Sequence, residues 1–235
     1  MSRRVSGTVK TFGCLTAILI FVALVFYPMF ADIQENTRTV SCSSNLEKLG
    51  MALTQYSQDN DGAMPNAAAK DGTRTWRETI FSYVKSKDIY HCPDRNDAID
   101  AHGFSQNYAA NDSPKGAFAR PGSVGVSLKS YPSPNKLILL LETEDNPRPD
   151  FDIDDPVLFS PKTQKIWCGH VSVHGNFLMA DGHVGLFAPS NTYLYDPKNH
   201  SLFNFWYRNT DTRMSPNGEA VLKVTEKRFH WKGAL

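Results

Sequence analysis

Apolar residues are concentrated near the start of the chain. No charged residue occurs between positions 11 and 31, whereas the mean hydropathy of the whole chain is -0.38, so the remainder is polar. A helix of about 20 apolar residues is long enough to cross the roughly 30 Å hydrocarbon core of a bilayer. The pattern therefore predicts one transmembrane helix over residues 12–31.

A cleaved signal peptide is the alternative interpretation, because Arg3, Arg4 and Lys10 precede the apolar run. The run is longer than the apolar region of a usual signal peptide, and no clean cleavage site of small residues follows it. We favour a retained anchor. Because residues 1–11 carry basic and no acidic side chains, we expect them to be a cytoplasmic segment and residues 32–235 to be an exported domain, periplasmic or extracellular.

A second pattern follows the apolar run and has the period of an amphipathic helix. Its apolar positions are Ile33, Val40, Leu46, Leu49, Leu53 and Tyr56. Turn-forming residues at positions 60–65 then end the pattern. We predict one long helix, embedded in lipid in its first half and packed on the exported domain in its second.

Later segments predict a small sheet. Residues 75–86 have the spacing of a short helix, and residues 136–142 form a short apolar run typical of a buried strand. Asp181 and Gly182 separate two further apolar runs, which is a strong hairpin signal. The predicted fold class is α+β, with a small antiparallel sheet against the second half of the long helix, as in pilin subunits.

Several segments, in this order, resemble one family. They are a hydrophobic N-terminal helix with Pro28, Cys42 followed by SNLEKLGMALTQYSQDNDGAMP, YHCPD at 90–94, QNYAAN at 106–111 and HGNFLMADGHV at 174–184. The chain is similar to the bacterial prepilin-like (pseudopilin-like) proteins of unknown function. The resemblance implies a pilin-like fold and a part in envelope architecture, such as type II secretion or a surface filament.

Two positions depart from that family's pattern. The family's prepilin signature has a Glu where this chain has Thr11, and no Glu occurs before Glu35, which leaves N-terminal processing undecided. The family's His-x9-Asp-Gly signature also differs, because ten residues separate His170 from Asp181. Either one residue is inserted between the two, or the role of the His is absent.

Three cysteines lie in the predicted exported domain, where oxidation is permitted. If two of them form a disulfide, the third remains a free thiol. We favour a disulfide between Cys42 and Cys92, which would close a loop of roughly 50 residues, and expect Cys168 to stay reduced. A zinc site is the less favoured interpretation, since the sequence has no Cys-x-x-Cys.

One group of residues could carry chemistry. If the strand ending at Glu142 pairs with the predicted hairpin, then Glu142, His170 and Asp181 are candidate ligands of a metal ion. A turn explains Asp181 equally well, and residues 142–155 read as a solvated acidic loop. That loop would suit Ca²⁺, although it has no EF-hand spacing. We expect no catalytic residue and no bound cofactor.

Composition and missing motifs narrow the function. A net charge of +1 gives no field for binding nucleic acid, and the sequence has no hydrolase, P-loop or dinucleotide motif. We expect a non-enzymatic structural protein that associates with itself or with other pilin-like subunits. One alternative is a membrane-tethered solute- or glycan-binding protein that uses its aromatic residues, namely Trp167, Tyr193, Tyr195, Trp206 and Tyr207. A tethered hydrolase using Glu142, His170 and Asp181 is the third.

Overall fold

The computed structural model describes residues 3–68, 74–95, 99–112, 117–118, 127–143, 150–151, 166, 169–170, 173–196, 201–206, 214, 216 and 219–223. Within these, only the backbone is described at 3–14, 28, 31–32, 150–151, 190, 194–196 and 201–203. The chain divides into two compact units, Met1–Thr37 and Arg38–Leu235. Each is described by itself.

The predicted long helix is present as α1, which spans Arg3–Asp59. The division between the two units falls inside it, after Thr37. At its C-terminal end the Gly62 amide donates to the carbonyl of Ser57 at 2.7 Å, and the Ser57 hydroxyl donates to the carbonyl of Gly62 at 2.7 Å. Asp61 and Gly62 have φ 54° and 83°, left-handed conformations that cannot continue the helix and that cost little at glycine.

The predicted helix at 75–86 is divided into α2, Trp76–Thr79, and α3, Phe81–Val84. Glu78 begins α2 by accepting a hydrogen bond from the Thr75 amide at 2.6 Å, as in a capping box. Trp76 and Ile80 are fully buried. The apolar spacing therefore predicted the burial of Trp76 and Ile80, whereas Phe81 and Val84 in the same pattern are only partly buried, and it did not predict the break at Ile80.

The main sheet has five strands in the order β3-β1-β2-β4-β5. They are β1 Tyr108–Asn111, β2 Ile138–Glu142, β3 Asp150–Phe151, β4 Gly175–Met179 and β5 Val184–Phe187. Four of them pair antiparallel, and β3 pairs parallel to β1 at the edge. A second sheet pairs β6 Tyr193–Asp196 with β7 Ser201–Asn204. The α+β prediction is confirmed.

Both faces of the central strands β1, β2 and β4 are buried. One face packs with α1 and α2 in a core that includes Leu46, Leu49, Leu53, Trp76, Leu140 and Leu178. The other packs with the β6–β7 region and the C-terminal segment in a core that includes Ile138, Leu141, Phe177, Phe205, Trp206 and Val221. Burial on both faces explains why residues 137–141 are apolar without alternation.

The buried stripe of α1 differs from the predicted one at its start. Leu46, Leu49 and Leu53 are fully buried as expected, but Ile33 is 50% exposed and Val40 is 67% exposed. The small residues Thr39 and Cys42 are buried in its place. Spacings of three and four residues fix the phase of a helical face, and here that phase passes through Thr39 instead of the more apolar Val40.

We expect Leu53→Ala to lower the free energy of unfolding by about 2–5 kcal/mol, because it leaves a cavity in the core between α1 and the sheet. Met51→Ala is the matched control, since Met51 lies on the same helix and is 65% exposed; its effect should stay within about 0.5 kcal/mol. Denaturant titration of the detergent-solubilised chain, followed by tryptophan fluorescence, measures both. Equal losses in the two variants would contradict this packing.

Candidate functional site

A β-bulge determines which face of the sheet carries Glu142. The pairing of β2 with β4 shifts between Ile138 and Leu140, and Leu139 and Leu140 both contribute to the core on the α1 side. Side chains in a strand alternate between faces, and a bulge inserts one residue into that alternation. As a result Glu142 lies on the α1 side, whereas strict alternation from Ile138 would place it on the other.

The Glu142 carboxylate is buried, with 1% of the residue exposed. Its Oε2 accepts from the Asn176 amide at 2.7 Å, and its Oε1 accepts from the Asn176 side-chain amide at 3.2 Å. The side-chain amide of Asn176 also donates to the carbonyl of Thr39 on α1 at 3.4 Å. A buried carboxylate requires such partners, so Glu142 links β2, β4 and α1.

His170 is the third member of this cluster. Its Nε2 lies 3.0 Å from Glu142 Oε1, and its side chain is fully buried. The backbone turns sharply after it: Val173 has φ 67°, and the Val173 amide donates to the carbonyl of His170 at 3.1 Å. A β-branched residue at positive φ is unusual.

The predicted disulfide joins Cys42 of α1 to Cys92, with the Cα atoms 5.0 Å apart. Both cysteines are fully buried, and Cys92 Sγ lies 3.8 Å from Glu142 Oε1. The Tyr108 hydroxyl donates to the carbonyl of Cys42 at 3.3 Å. Burial, together with the nearby charge of Glu142, raises the pKa of Tyr108, so the hydroxyl keeps the proton that it donates. Cys168 lies outside the described residues.

A charged pair flanks the buried cluster. Arg38 Nη1 lies 3.1 Å from Asp94 Oδ1, and Asp94 Oδ2 faces His170 Nδ1 at 3.8 Å. The Arg38 side chain is half exposed, whereas that of Asp94 is largely buried. A series of side-chain contacts from Arg38 through Asp94 to His170 thus connects the surface with the buried Glu142.

Asp181 does not take part in this cluster. Its Oδ1 contacts His183 Nδ1 at 2.5 Å and accepts from the His183 amide at 3.2 Å. It lies in the loop between β4 and β5, beyond the opposite end of β4 from Asn176. The structure therefore brings two of the three candidate ligands, Glu142 and His170, together, and places Asp181 in a turn.

The Asp-Gly hairpin is present between β4 and β5. The Met179 amide donates to the carbonyl of His183 at 2.9 Å, which closes a loop of three residues. Gly182 has φ 93°, whereas Asp181 is not among the residues with positive φ. This is the three-residue form of hairpin loop, with glycine in the left-handed position.

Four potential metal ligands lie together in the described part of the chain: Cys42, Cys92, Glu142 and His170. Their ligand atoms lie within 4.8 Å of one another, and all four residues are buried. Sequence spacing gave no sign of this group, since its members come from four separate segments. The predicted Ca²⁺ loop at 142–155 lies mostly outside the described residues.

Aromatic residues of the predicted binding surface contribute instead to the core where their side chains are described. Trp206 is fully buried, and Tyr193 is 8% exposed. Trp206 Nε1 donates to the Thr192 hydroxyl at 2.9 Å. Trp167 and Tyr207 lie outside the described residues, and only the backbone of Tyr195 is described.

The first unit exposes a long apolar surface on α1. Its exposed large side chains include Leu15, Ile18, Leu19, Ile20, Phe21, Val22, Leu24, Val25, Phe26, Tyr27, Met29 and Phe30. Over the residues described, no helix meets the length and hydropathy needed to span a bilayer. Residues 12–14, 28 and 31 of the predicted span are described by their backbone alone.

Comparison with known families finds a match, which covers the second half of α1 and the segments after it. A family model described as "SBP_bac_10: Protein of unknown function (DUF1559)" matches residues 32–137, somewhat less than half of the chain. No curated protein and no solved structure gives a significant match. The matched residues include Cys42 and Cys92, whereas Glu142 and His170 lie beyond them.

We expect replacement of the disulfide by Cys42→Ser/Cys92→Ser to lower the free energy of unfolding by about 3–4 kcal/mol, because the bridge restricts the unfolded chain. The matched control is Cys14→Ser/Cys168→Ser, which removes the other two cysteines of the sequence. Denaturant titration without reductant measures the difference, and peptide mapping identifies the linked pair. A linked peptide that contains Cys168 would contradict the assignment.

The turn at Asp181 and Gly182 predicts different effects for two substitutions. Asp181→Asn should be nearly neutral, because an amide oxygen can accept the same hydrogen bond from the His183 amide. Gly182→Val should cost on the order of 1–2 kcal/mol, because a β-branched side chain is strained at positive φ. Thermal melts compare them. A large loss for Asp181→Asn that a chelator reproduces in the wild type would instead indicate a cation at Asp181.

Proposed function

We propose that the chain is a membrane-anchored, pilin-like structural subunit of the cell envelope. In this proposal residues 12–31 lie in the cytoplasmic membrane, and the domain that follows is periplasmic or extracellular. The observation that carries the proposal is the apolar surface of α1 in the first unit. Its role is architectural, in a secretion apparatus or a surface filament, without catalytic turnover.

Exposed apolar side chains favour a lipid or protein environment for this part of α1. Removing one large apolar side chain from water is favourable by about 1.5–3 kcal/mol of free energy. A dozen such side chains are exposed between Leu15 and Phe30. A surface of this extent marks a site of interaction with a membrane or a protein. The absence of charged residues from 12 to 31 agrees with insertion into lipid.

The charges at the N-terminus support one orientation. Arg3, Arg4 and Lys10 precede the apolar run without any acidic residue, and basic flanks remain on the cytoplasmic side. The disulfide between Cys42 and Cys92 supports the same orientation for the second unit, since structural disulfides persist in oxidising compartments. Two independent features thus favour export of the domain.

The second unit supports a pilin-like architecture. From Arg38 onward α1 contributes its buried face to the core beneath an antiparallel sheet, the arrangement implied by the resemblance to prepilin-like proteins. In such assemblies the apolar helices are the contacts between subunits. We propose that this chain associates through α1 with further copies of itself or with other pilin-like subunits.

The test replaces Leu19 and Leu24, which are 67% and 70% exposed, by Arg. We expect Leu19→Arg/Leu24→Arg to reduce both retention in carbonate-washed membranes and chemical cross-linking into multimers, because each buried charge costs about 2.5–3.5 kcal/mol in a transmembrane helix. Immunoblots of the membrane fraction and of cross-linked detergent extracts measure the two effects. Met51→Arg is the control and should change neither.

Three results would contradict the proposal in different ways. Release of the wild-type chain by a salt wash would exclude the anchor. Firm anchoring without any cross-linked multimer would exclude the assembly role and favour a tethered binding protein. Signal from a cytoplasm-dependent reporter fused after Leu235 would exclude export.

A further inference from the structure

We propose that reduction of the disulfide converts its surroundings into a zinc site formed by Cys42, Cys92, Glu142 and His170. In the oxidised chain the two sulfurs are bonded to each other. After reduction, the same two sulfurs become thiolate ligands beside a carboxylate and an imidazole. The oxidised and the metal-bound forms are thus alternative states of one buried cluster.

Geometry supports this assignment. Two ligand atoms on one tetrahedral zinc ion lie about 3.2–3.8 Å apart, given bond lengths of about 2.0–2.3 Å. His170 Nε2 lies 3.0 Å from Glu142 Oε1, and Cys92 Sγ lies 3.8 Å from the same oxygen. All four ligand atoms lie within 4.8 Å of one another. Small shifts of buried side chains are therefore enough to place them around one ion.

The donor set selects the metal. Two thiolates, one imidazole and one carboxylate combine soft and borderline ligands, which suit Zn²⁺ and are poor ligands for Ca²⁺ or Mg²⁺. The four residues are between 0% and 2% exposed. Four protein ligands without access for water are typical of a closed, structural zinc site. This site shares Glu142 with the acidic loop at 142–155 considered from the sequence, but its other three ligands lie outside that loop.

Neighbouring groups already hold the ligands in place. Metal-binding imidazoles commonly have a carboxylate at their other nitrogen, and His170 Nδ1 faces Asp94 Oδ2 at 3.8 Å. Asn176 holds the Glu142 carboxylate through its backbone and side-chain amides. The Cys92 amide donates to Asn107 Oδ1 at 3.0 Å. Such outer contacts orient ligands before the metal binds.

The conversion has two balanced steps. A dithiol reductant gives two electrons and two protons to the Cys42–Cys92 bond, which yields two thiols and leaves the reductant as its own disulfide. Zn²⁺ then replaces the two thiol protons and is bound by two thiolates, the Glu142 carboxylate and a neutral His170 nitrogen. Two protons are released, and no further oxidant is needed.

The test uses the full chain in detergent, in oxidised form and after anaerobic treatment with a phosphine reductant. After incubation with Zn²⁺ and desalting, bound zinc is counted by mass spectrometry of the metal. We expect about one zinc per reduced chain and none per oxidised chain. The variant Cys14→Ser/Cys168→Ser should behave as the wild type, because it retains Cys42 and Cys92.

Single substitutions then identify the ligands. Cys42→Ser, Glu142→Gln and His170→Ala should each weaken zinc binding roughly tenfold or more in competition with a chromophoric chelator. His183→Ala is the matched control, since His183 is exposed and contacts Asp181, and it should leave the affinity unchanged. Unchanged affinity in the Glu142 and His170 variants would overturn the assignment.

A spectroscopic measurement keeps the proposal testable if those variants fail to fold. Reduced Cys14→Ser/Cys168→Ser loaded with Co²⁺ should show thiolate-to-cobalt charge transfer and the visible bands of a tetrahedral ion, and its oxidised form should show neither. Absence of both bands would overturn the proposal. So would retention of zinc by the oxidised chain, or loss of zinc from the reduced Cys14→Ser/Cys168→Ser variant.

Discussion

Burial of both faces of β2 is the constraint on which the rest of the domain depends. On one face Leu140 packs with α1, and on the other Leu141 packs with the region of β6 and β7. A strand covered on both sides cannot leave a polar side chain without partners. Glu142, at the end of this strand, is therefore the position at which packing and hydrogen bonding must be satisfied together.

The partners of Glu142 meet that requirement by drawing on distant parts of the chain. Asn176 lies in β4, His170 precedes β4, and Cys92 lies in the segment that follows α3. Breaking a buried charged network by removing one partner costs several kcal/mol, because the remaining charge stays buried. The cluster thus fixes the position of β2, β4 and α1 relative to one another within the second unit.

Much of this fold could be predicted from the sequence because local patterns determine it. Helical spacing predicted the burial of Leu46, Leu49 and Leu53, and turn chemistry predicted the hairpin at Gly182. The burial of Thr39 in place of Val40 could not be predicted, since phase along a helix depends on what packs against it. The break between α2 and α3 at Ile80 was not predicted either.

The candidate site was predictable only in part. Glu142 and His170 were named from residue type, but their proximity to Cys42 and Cys92 depends on tertiary contacts that no spacing encodes. Asp181 carried a hairpin signal, and the loop between β4 and β5 explains it fully. The apolar surface of α1, in contrast, could be predicted from the sequence alone, because its residues form one continuous run without charges.

The bulge in β2 has a consequence for how this chain is compared with its relatives. Because one additional residue decides which face Glu142 occupies, a single deletion in residues 138–141 would move the carboxylate to the face opposite the cysteines although every residue of the cluster is retained. Homologues that keep Cys42, Cys92, Glu142 and His170 but differ by one residue within β2 would therefore separate the carboxylate from the sulfurs, so gaps in an alignment are more informative here than substitutions.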